Sequence, residues 1–278
     1  MIRIDLHMHS TCSDGAYPPS GLVRLSSLHR IAVAALTDHD TTAGVPQFLS
    51  ACKRRGIRGV AGVEISTRHE GGDELHILGY RFDLGDAGLA DAFARCRVAR
   101  RARSEAICAR LASLGVPVSM DEVEARAGGG VVGRPHIAQV IVDKGRAATI
   151  KEAFVRYLGR GASAYVPREL MSSAEAVRLI REAGGLPVWA HPFTSLSDPH
   201  ELGPVMDHLM GHGLWGVECR AHGASPAQKL VCMNEAGRRG LYMTAGSDFH
   251  GRPGHGARLS GHVVEDDALP WARLCGGL

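Results

Sequence analysis

The 278-residue sequence predicts an α/β barrel interrupted by a helical insertion, and three observations carry that expectation. Seven short apolar runs recur along the chain, each closed by a polar or glycine-rich turn, with helix-length segments between most of them. Such alternation makes parallel βα units. Four polar clusters end these runs: Asp5-Leu6-His7-Met8-His9, Thr37-Asp38-His39-Asp40, Ala190-His191-Pro192 and Ser247-Asp248-Phe249-His250. They come from both ends of the chain, so they can form one site only where strand ends share a mouth, as in a closed barrel. From about Ala94 to Tyr165 the alternation stops and the pattern is helical.

In chain order, Ile2 to Met8 is the first strand and carries His7 and His9. Pro18 to His29 is helix-length, Ile31 to Leu36 is the second strand, and Thr42 to Arg55 is the next helix. Ile57 to Val63 leads to Glu64, and Leu75 to Tyr80 holds His76. The insertion opens with Arg95, Arg97, Arg100, Arg101, Arg103 and Arg110, passes a loop at Gly128 to Gly130, and reaches Gly133-Arg134-Pro135-His136. Ser172 to Ala183 is a helix with Ser172 as N-cap and Gly184 as stop, and Leu186 to Ala190 is the fifth strand. Leu214 to Val217 leads to Glu218; Ser225 to Arg239 is capped by Ser225 and stopped by Gly240; Leu241 to Ala245 leads to Asp248 and His250. The expected organisation is residues 1–93 as the first part of the barrel, 94–165 as the helical insertion and 166–278 as the second part.

Composition narrows the class. An apolar content of 45% supplies a sizeable core and excludes a disordered or fibrous protein. The net charge of +3 is too small to predict nucleic-acid binding by itself but suits an anionic small substrate. Cys12, Cys52, Cys96, Cys108, Cys219, Cys232 and Cys275 are scattered without CxxC spacing, which argues against a disulfide framework or a thiolate zinc site. No run approaches the roughly 20 apolar residues of a membrane span, and no apolar signal core precedes His7. A cytoplasmic protein with no membrane association and no obligate protein partner is expected. The 15 His outnumber Phe, Trp and Tyr taken together, which points to metal chemistry.

Alternate residues of a strand face one side, so His7 pairs with His9, and Asp248 with His250. Mixed imidazole and carboxylate donors suit Mn, Fe or Zn, and the set exceeds what one ion takes. Two or three divalent cations are therefore expected, Mn favoured. Glu64 can bridge two of them, and ions about 3.5–4 Å apart can activate water for phosphate ester hydrolysis. Asp40 is either a helix N-cap or a partner that orients an imidazole, and Glu218 a salt-bridge partner inside the barrel. The arginine run is expected to be the solvated face of a helix, with an RNA-backbone guide as the alternative. Arg134, stiffened by Pro135, is expected to grip phosphate, joined by His136, Arg160 and His222 on the phosphate that is not hydrolysed.

Asp5-Leu6-His7-Met8-His9-Ser10, Asp14, Thr37-Asp38-His39-Asp40, Gly62-Val63-Glu64, His76 to Tyr80, Ala190-His191-Pro192 and Gly246 to His250 together resemble the PHP (polymerase and histidinol phosphatase) family from end to end. The resemblance implies a distorted (β/α)7 barrel of the amidohydrolase-like group with an inserted small helical subdomain, and a trinuclear centre that hydrolyses phosphoesters. It would place His7, His9, Glu64 and Asp248 on one ion, Glu64, His76 and His191 on a second, and Asp14, His39 and His250 on a third. Asp248 would accept a proton from the attacking water, and His191 would help neutralise the phosphoryl oxygens. Gly133-Arg134-Pro135-His136-Ile137-Ala138 and Tyr157-Leu158-Gly159-Arg160-Gly161 are similar to the branch of bacterial 3',5'-nucleotide bisphosphate phosphatases and 5'-to-3' exoribonucleases. That branch implies a small phosphorylated nucleotide as substrate, adenosine 3',5'-bisphosphate going to AMP, with short single-stranded RNA as the alternative. A non-catalytic nucleotide-binding module is the contrasting class, and an intact ligand set argues against it.

Overall fold

The computed structural model describes residues 1–70, 72, 74–196, 198–251, 258–259, 261–264 and 274; Cys275 lies outside them. Each of the seven apolar runs contains a strand: β1 (Ile2–Asp5), β2 (Val33–Leu36), β3 (Arg58–Arg68), β4 (Glu74–Tyr80), β5 (Leu186–Trp189), β6 (Gly216–Arg220) and β7 (Tyr242–Ala245). An eighth, β8 (His262–Val264), pairs antiparallel with β1. The sheet runs in the order β7-β6-β5-β4-β3-β2-β1-β8. Its ends are drawn together where Leu6 N donates to Ala245 O at 3.1 Å and His9 N to Phe249 O at 3.0 Å, nearly closing the barrel.

Two features depart from the sequence expectation. β4 is antiparallel to both β3 and β5. The loop between β3 and β4 is short, whereas a parallel pair needs a crossover of about a dozen residues or more, so a hairpin is the connection the chain can make. The reversal brings the N-terminal part of β4, with His76, to the mouth where the other strands have their C-terminal ends. β3 also continues to Arg68, so Glu64 sits within a strand and not after one.

Strand parity sorts the core. Val33 and Ala35 join Ile4, Leu6, Val60, Leu78, Val188 and Ala245 inside the barrel. Ala34 and Leu36 face outward onto Leu22, Val23, Phe48 and Cys52 of α1 (Pro19–Leu28) and α2 (Val45–Arg55). On the other flank, Ile65, Ile77 and Trp189 pack against Val177, Ile180, Val205, Met206 and Leu209 of α7 (Ser173–Glu182) and α9 (Leu202–Gly211). α8 (Pro192–Ser195) and α10 (Pro226–Arg238) complete the barrel helices. Ser172 and Ser225 cap α7 and α10 as expected, accepting from Glu175 N and Gln228 N.

Between β4 and α7 lie α3 (Ala87–Ser113), α4 (Met120–Ala127), α5 (Arg134–Asp143), α6 (Ile150–Ala153) and a π-helical turn at Phe154–Leu158. α3 starts before the expected boundary, capped by Asp86, whose side chain accepts from Leu89 N. Its first turns place Leu89 and Phe93 in the barrel core, and its later turns place Ile107 and Leu111 in a second core with Val123, Ile137, Ile141 and Leu158. One long helix thus serves two cores. Among the described residues no helix is long and apolar enough to cross a membrane.

Candidate metal centre

The expected ligands gather at the mouth. His7 and His9 follow β1, Asp14 lies in the next loop, His39 follows β2, Glu64 and His76 sit on the hairpin, His191 follows β5, and Asp248 and His250 follow β7. A cavity of about 610 Å³ is lined by Asp14, His39, Glu64, His76, His191, Asp248 and His250, with His7 and His9 fully buried beside it. Glu64 is the hub. Its Oε1 lies 2.8 Å from His76 Nδ1 and 3.0 Å from His191 Nε2. Its Oε2 lies 3.0 Å from His39 Nδ1, 3.3 Å from His9 Nε2 and 3.4 Å from His7 Nε2. Asp248 Oδ1 reaches His9 Nε2 at 3.1 Å and His7 Nε2 at 3.4 Å, while Asp14 Oδ1 lies 3.3 Å from His250 Nε2.

Three groups offer one donor atom per residue, all within 4.8 Å of one another: His7, His9, Glu64 and Asp248; His9, Asp14, His39 and His250; and His39, Glu64 and His76. The first is the set the resemblance assigns to one ion, and the second contains the set it assigns to another. In the third, His39 stands where His191 was expected, although His191 and His76 meet the same oxygen of Glu64, Oε1.

Hydrogen bonds fix which ring nitrogen faces the cluster. His7 Nδ1 donates to Glu218 Oε1 (3.1 Å), which leaves Nε2 with a lone pair toward Glu64 and Asp248. Thr194 spends its hydroxyl proton on His191 O (2.9 Å), so it accepts from His191 Nδ1 (2.7 Å) and leaves that Nε2 bare. His250 Nδ1 donates to Asp248 O (2.8 Å). His7 Nε2, His9 Nε2, His39 Nδ1, Glu64 Oε2 and Asp248 Oδ1 are buried and make no hydrogen bond among the described residues, although they face one another at 3.0–3.4 Å. Wherever these imidazoles carry no proton, lone pairs turned on lone pairs repel, and divalent cations between them would convert the repulsion into coordination. These residues fit a metal cluster.

The loops that carry the donors are tied down by buried polar groups. Asp38 accepts from Ser10 N (2.7 Å), Ser10 Oγ (2.6 Å) and Ser13 Oγ (2.6 Å), which sets the approach to Asp14. Asp5 accepts from Ser247 N (2.9 Å) and His7 N (3.3 Å), joining the first and last ligand loops. Glu218 also accepts from His191 N (3.0 Å), so one carboxylate holds two candidate ligands. Of the five non-glycine residues with positive φ among the described residues, Asp40 (52°), His191 (27°) and Asp248 (53°) are at the site, so backbone strain concentrates there.

Charge follows the same plan. Burial would raise Glu64, but the neighbouring imidazoles, His76 and His7 ahead of a hydrogen bond from His191, outweigh it and hold the carboxyl well below the usual carboxylate range. Burial would push His9 down, yet the close carboxylates of Asp248 and Glu64 lift it to about 10. His39 goes the other way: burial dominates over Glu64 and Asp14 and pushes it down to about 4, which keeps a neutral imidazole. The carboxylates call for positive charge at the centre, supplied by protons on His7 and His9 or by cations.

The expected phosphate-binding residues divide. Arg134 and Arg160 line the cavity, Arg134 with Nη1 donating to Leu158 O (3.4 Å) and its guanidinium over the Phe154 ring. His136 is buried outside the cavity wall; its Nδ1 accepts from Gly133 N (3.1 Å) and closes the first turn of α5, so its role is in the helix start. His222 is exposed beyond β6 and does not line the cavity.

The arginine run splits as well. Arg101 is solvated and paired with Glu105 and Glu124, as expected of a helix surface. Arg100 turns inward: its Nε donates to Asp40 Oδ2 at 2.6 Å and its Nη2 to Ser66 Oγ at 3.1 Å, so Asp40 is an ion-pair partner and not a helix cap. Arg68, Arg100, Arg103 and Arg168 line the cavity without having been expected there. Arg100, Arg103, Ser104, Ile107 and Leu111 share one helical face at i, i+3, i+4, i+7 and i+11, a signal the sequence does hold. Arg168 lies in an extended segment with no such periodicity.

With this geometry in view, comparisons with known proteins agree. The family profile described as PHP domain matches residues 5–118. A 5'-3' exoribonuclease, Rnm, of Salmonella typhimurium is 34% identical over 248 residues, 88% of this chain and 84% of the relative. A 3',5'-nucleoside bisphosphate phosphatase of Chromobacterium violaceum is 33% identical over 270 residues, 95% of this chain and 93% of the relative. The crystal structure of a candidate metal-dependent phosphoesterase from Bifidobacterium adolescentis superposes with a TM-score of 0.87 at 30% identity, over 99% of this chain and 96% of that one.

Proposed function

The chain belongs to the PHP family and is a metal-dependent phosphoesterase, and we propose that it removes the 3'-phosphate of nucleoside 3',5'-bisphosphates such as adenosine 3',5'-bisphosphate, leaving the 5'-monophosphate. The observation that carries this reading is one cavity with the ligand cluster at one side and Arg134 and Arg160 on its wall. The scissile phosphate would meet the cluster while the arginines take the 5'-phosphate, whose planar, paired N–H···O contacts suit guanidinium. Residues 94–165 form, in this reading, the subdomain that closes over the barrel mouth.

His7, His9, Asp14, His39, Glu64, His76, His191, Asp248 and His250 would hold two or three divalent cations. A donor set of imidazole and carboxylate without thiolate suits Mn, Fe or Zn, of which Mn is the ion proposed. When bound, the cations supply an activated water and neutralise phosphoryl oxygens. Asp248 reaches the cavity with a part-exposed carboxylate and accepts a proton from the attacking water. His191, held by Thr194 and Glu218, turns Nε2 toward Glu64 at 3.0 Å, on the cavity wall where the phosphoryl oxygens would lie.

A second reading, a 5'-to-3' exoribonuclease acting on 5'-phosphorylated RNA, draws on the Salmonella relative and on the further arginines around the cavity. Product analysis separates the two. Mn-loaded protein is incubated with adenosine 3',5'-bisphosphate or with a 5'-phosphorylated RNA, each with a chelator control. Chelator-sensitive phosphate release with AMP as the other product supports the bisphosphatase; stepwise release of mononucleotides from RNA with a poor bisphosphate rate supports the nuclease.

A further inference from the structure

Arginines on this protein are neutralised in two different ways. Those on the outer surface pair with carboxylates: Arg95 with Glu175, Arg126 with Asp143, Arg156 with Glu152, and Arg239 with Asp207 and Glu235. On the cavity wall Arg100 also has a carboxylate, Asp40, whereas Arg103 and Arg68 are held by neutral groups. Arg103 Nε donates to Val166 O (2.7 Å) and its guanidinium lies over the Tyr165 ring. Arg68 Nη2 donates to Arg168 O (3.3 Å). A carbonyl fixes the direction of a guanidinium but leaves its charge uncompensated.

Arg168 is the extreme case. Its side chain is 4% exposed, and the carboxylate it reaches, Asp40 Oδ2 at 3.5 Å, is already bonded to Arg100 at 2.6 Å. Its Nε is buried and makes no hydrogen bond among the described residues. Apart from the candidate metal ligands, Glu74 is the acidic residue on the cavity wall, and Asp40 lies behind it. With one phosphate at Arg134 and Arg160 and Glu74 offsetting one further charge, net positive charge remains among Arg68, Arg103 and Arg168.

We propose that Arg103 and Arg168 form a further anion position, which takes a third phosphate group of the substrate, the internucleotide phosphate of a short oligonucleotide. The inference rests on reading the cavity as a nucleotide phosphoesterase site, and it names which residues extend that site beyond a bisphosphate. A guanidinium already held in place on the cavity wall binds a phosphodiester with little reorganisation.

The test compares adenosine 3',5'-bisphosphate with 5'-phosphorylated triadenylate on the full-length Mn-loaded protein and on Arg103→Gln and Arg168→Lys, with Arg101→Gln as an exposed control. The expected result is a KM for triadenylate raised about tenfold more than the KM for the bisphosphate in both cavity variants, the size of one lost charged hydrogen bond. A parallel binding titration of fluorescent triadenylate without metal reads the same position without turnover; its log–log salt slope should fall by roughly one in Arg103→Gln. Equal losses on both substrates, or unchanged triadenylate binding in folded variants, overturn the proposal. If wild-type protein hydrolyses neither substrate yet binds triadenylate in an Arg103-dependent way, the phosphoesterase substrate reading fails and the anion position stands.

Discussion

At His191 a single hydroxyl decides which nitrogen is available. Thr194 accepts from Nδ1 and donates to His191 O, so its removal frees the ring to flip or change tautomer. Thr194→Val is expected to weaken metal binding about 10- to 100-fold, with Thr194→Ser restoring most of it, as read by Mn titration. Protons provide a second check. In the metal-free protein His9 is raised to about 10 from an ordinary 6.5, so its proton contributes stability that is full below 6.5 and lost as pH rises through about 10. A cation must displace that proton. Affinity should therefore climb about tenfold per pH unit for each proton released over this window, and calorimetry in buffers of different ionisation enthalpy should register the release. A pH-independent affinity would show that His9 is neutral before loading. The histidines and acids of the site were legible because their residue types cluster at strand ends. Thr194 and Arg168 were not, because Thr194 acts through His191 and Arg168 lies in an extended segment that only the fold brings to the cavity, while His136, expected on phosphate, instead closes the first turn of α5.

Among the elements, the strands were visible as apolar runs, but their direction was not, since an alternating pattern reads the same either way along the sheet. Hence the β3–β4 hairpin came as a correction, and β8, only His262–Val264, was too short to stand out. α3 was visible as a helix, and its inward face was concealed by the abundance of arginine. That face makes a test. Asp40 is fully buried and the Arg100 side chain 15% exposed, so Arg100→Leu leaves a buried carboxylate with Ser66 N as hydrogen-bond donor and Arg168, at 3.5 Å, as its remaining ion-pair partner. Breaking such a pair costs about 3–5 kcal/mol, and chemical denaturation should show a loss in that range. A change under about 1 kcal/mol would mean that Arg168 moves in to replace it. The loop entering the last ligand pair is tighter still. A Cβ on Gly246 would stand 2.3 Å from His7 Cβ and 2.5 Å from Glu218 Oε1, both of which are held in the cluster. Gly246→Ala is expected to destabilise by about 1–3 kcal/mol and to lower the Mn stoichiometry, because His7 must move away from Glu64 to make room.

For the molecule as a whole, the site is also a fastener. Donors from His7 to His250 span nearly the entire sequence, and the barrel closes beside them through few backbone bonds, Leu6 to Ala245 and His9 to Phe249 among them. Like-charged carboxylates at Glu64, Asp248 and Asp14 sit at that seam, so the fold holds buried charge in place for the sake of chemistry. Cations that bind the native cluster and not the unfolded chain should then stabilise the whole barrel by mass action, about 2.7 kcal/mol at a hundred times the dissociation constant. For a chain of this length that corresponds to a rise in Tm of roughly 5–10 °C on adding Mn, reversed by chelator. His7→Ala removes a donor from the group shared by Glu64 and Asp248 and should lose most of this gain, whereas Arg134→Ala, on the cavity wall away from the cluster, should retain it. Equal Mn-dependent shifts in wild type and His7→Ala would place the stabilising cation outside this cluster.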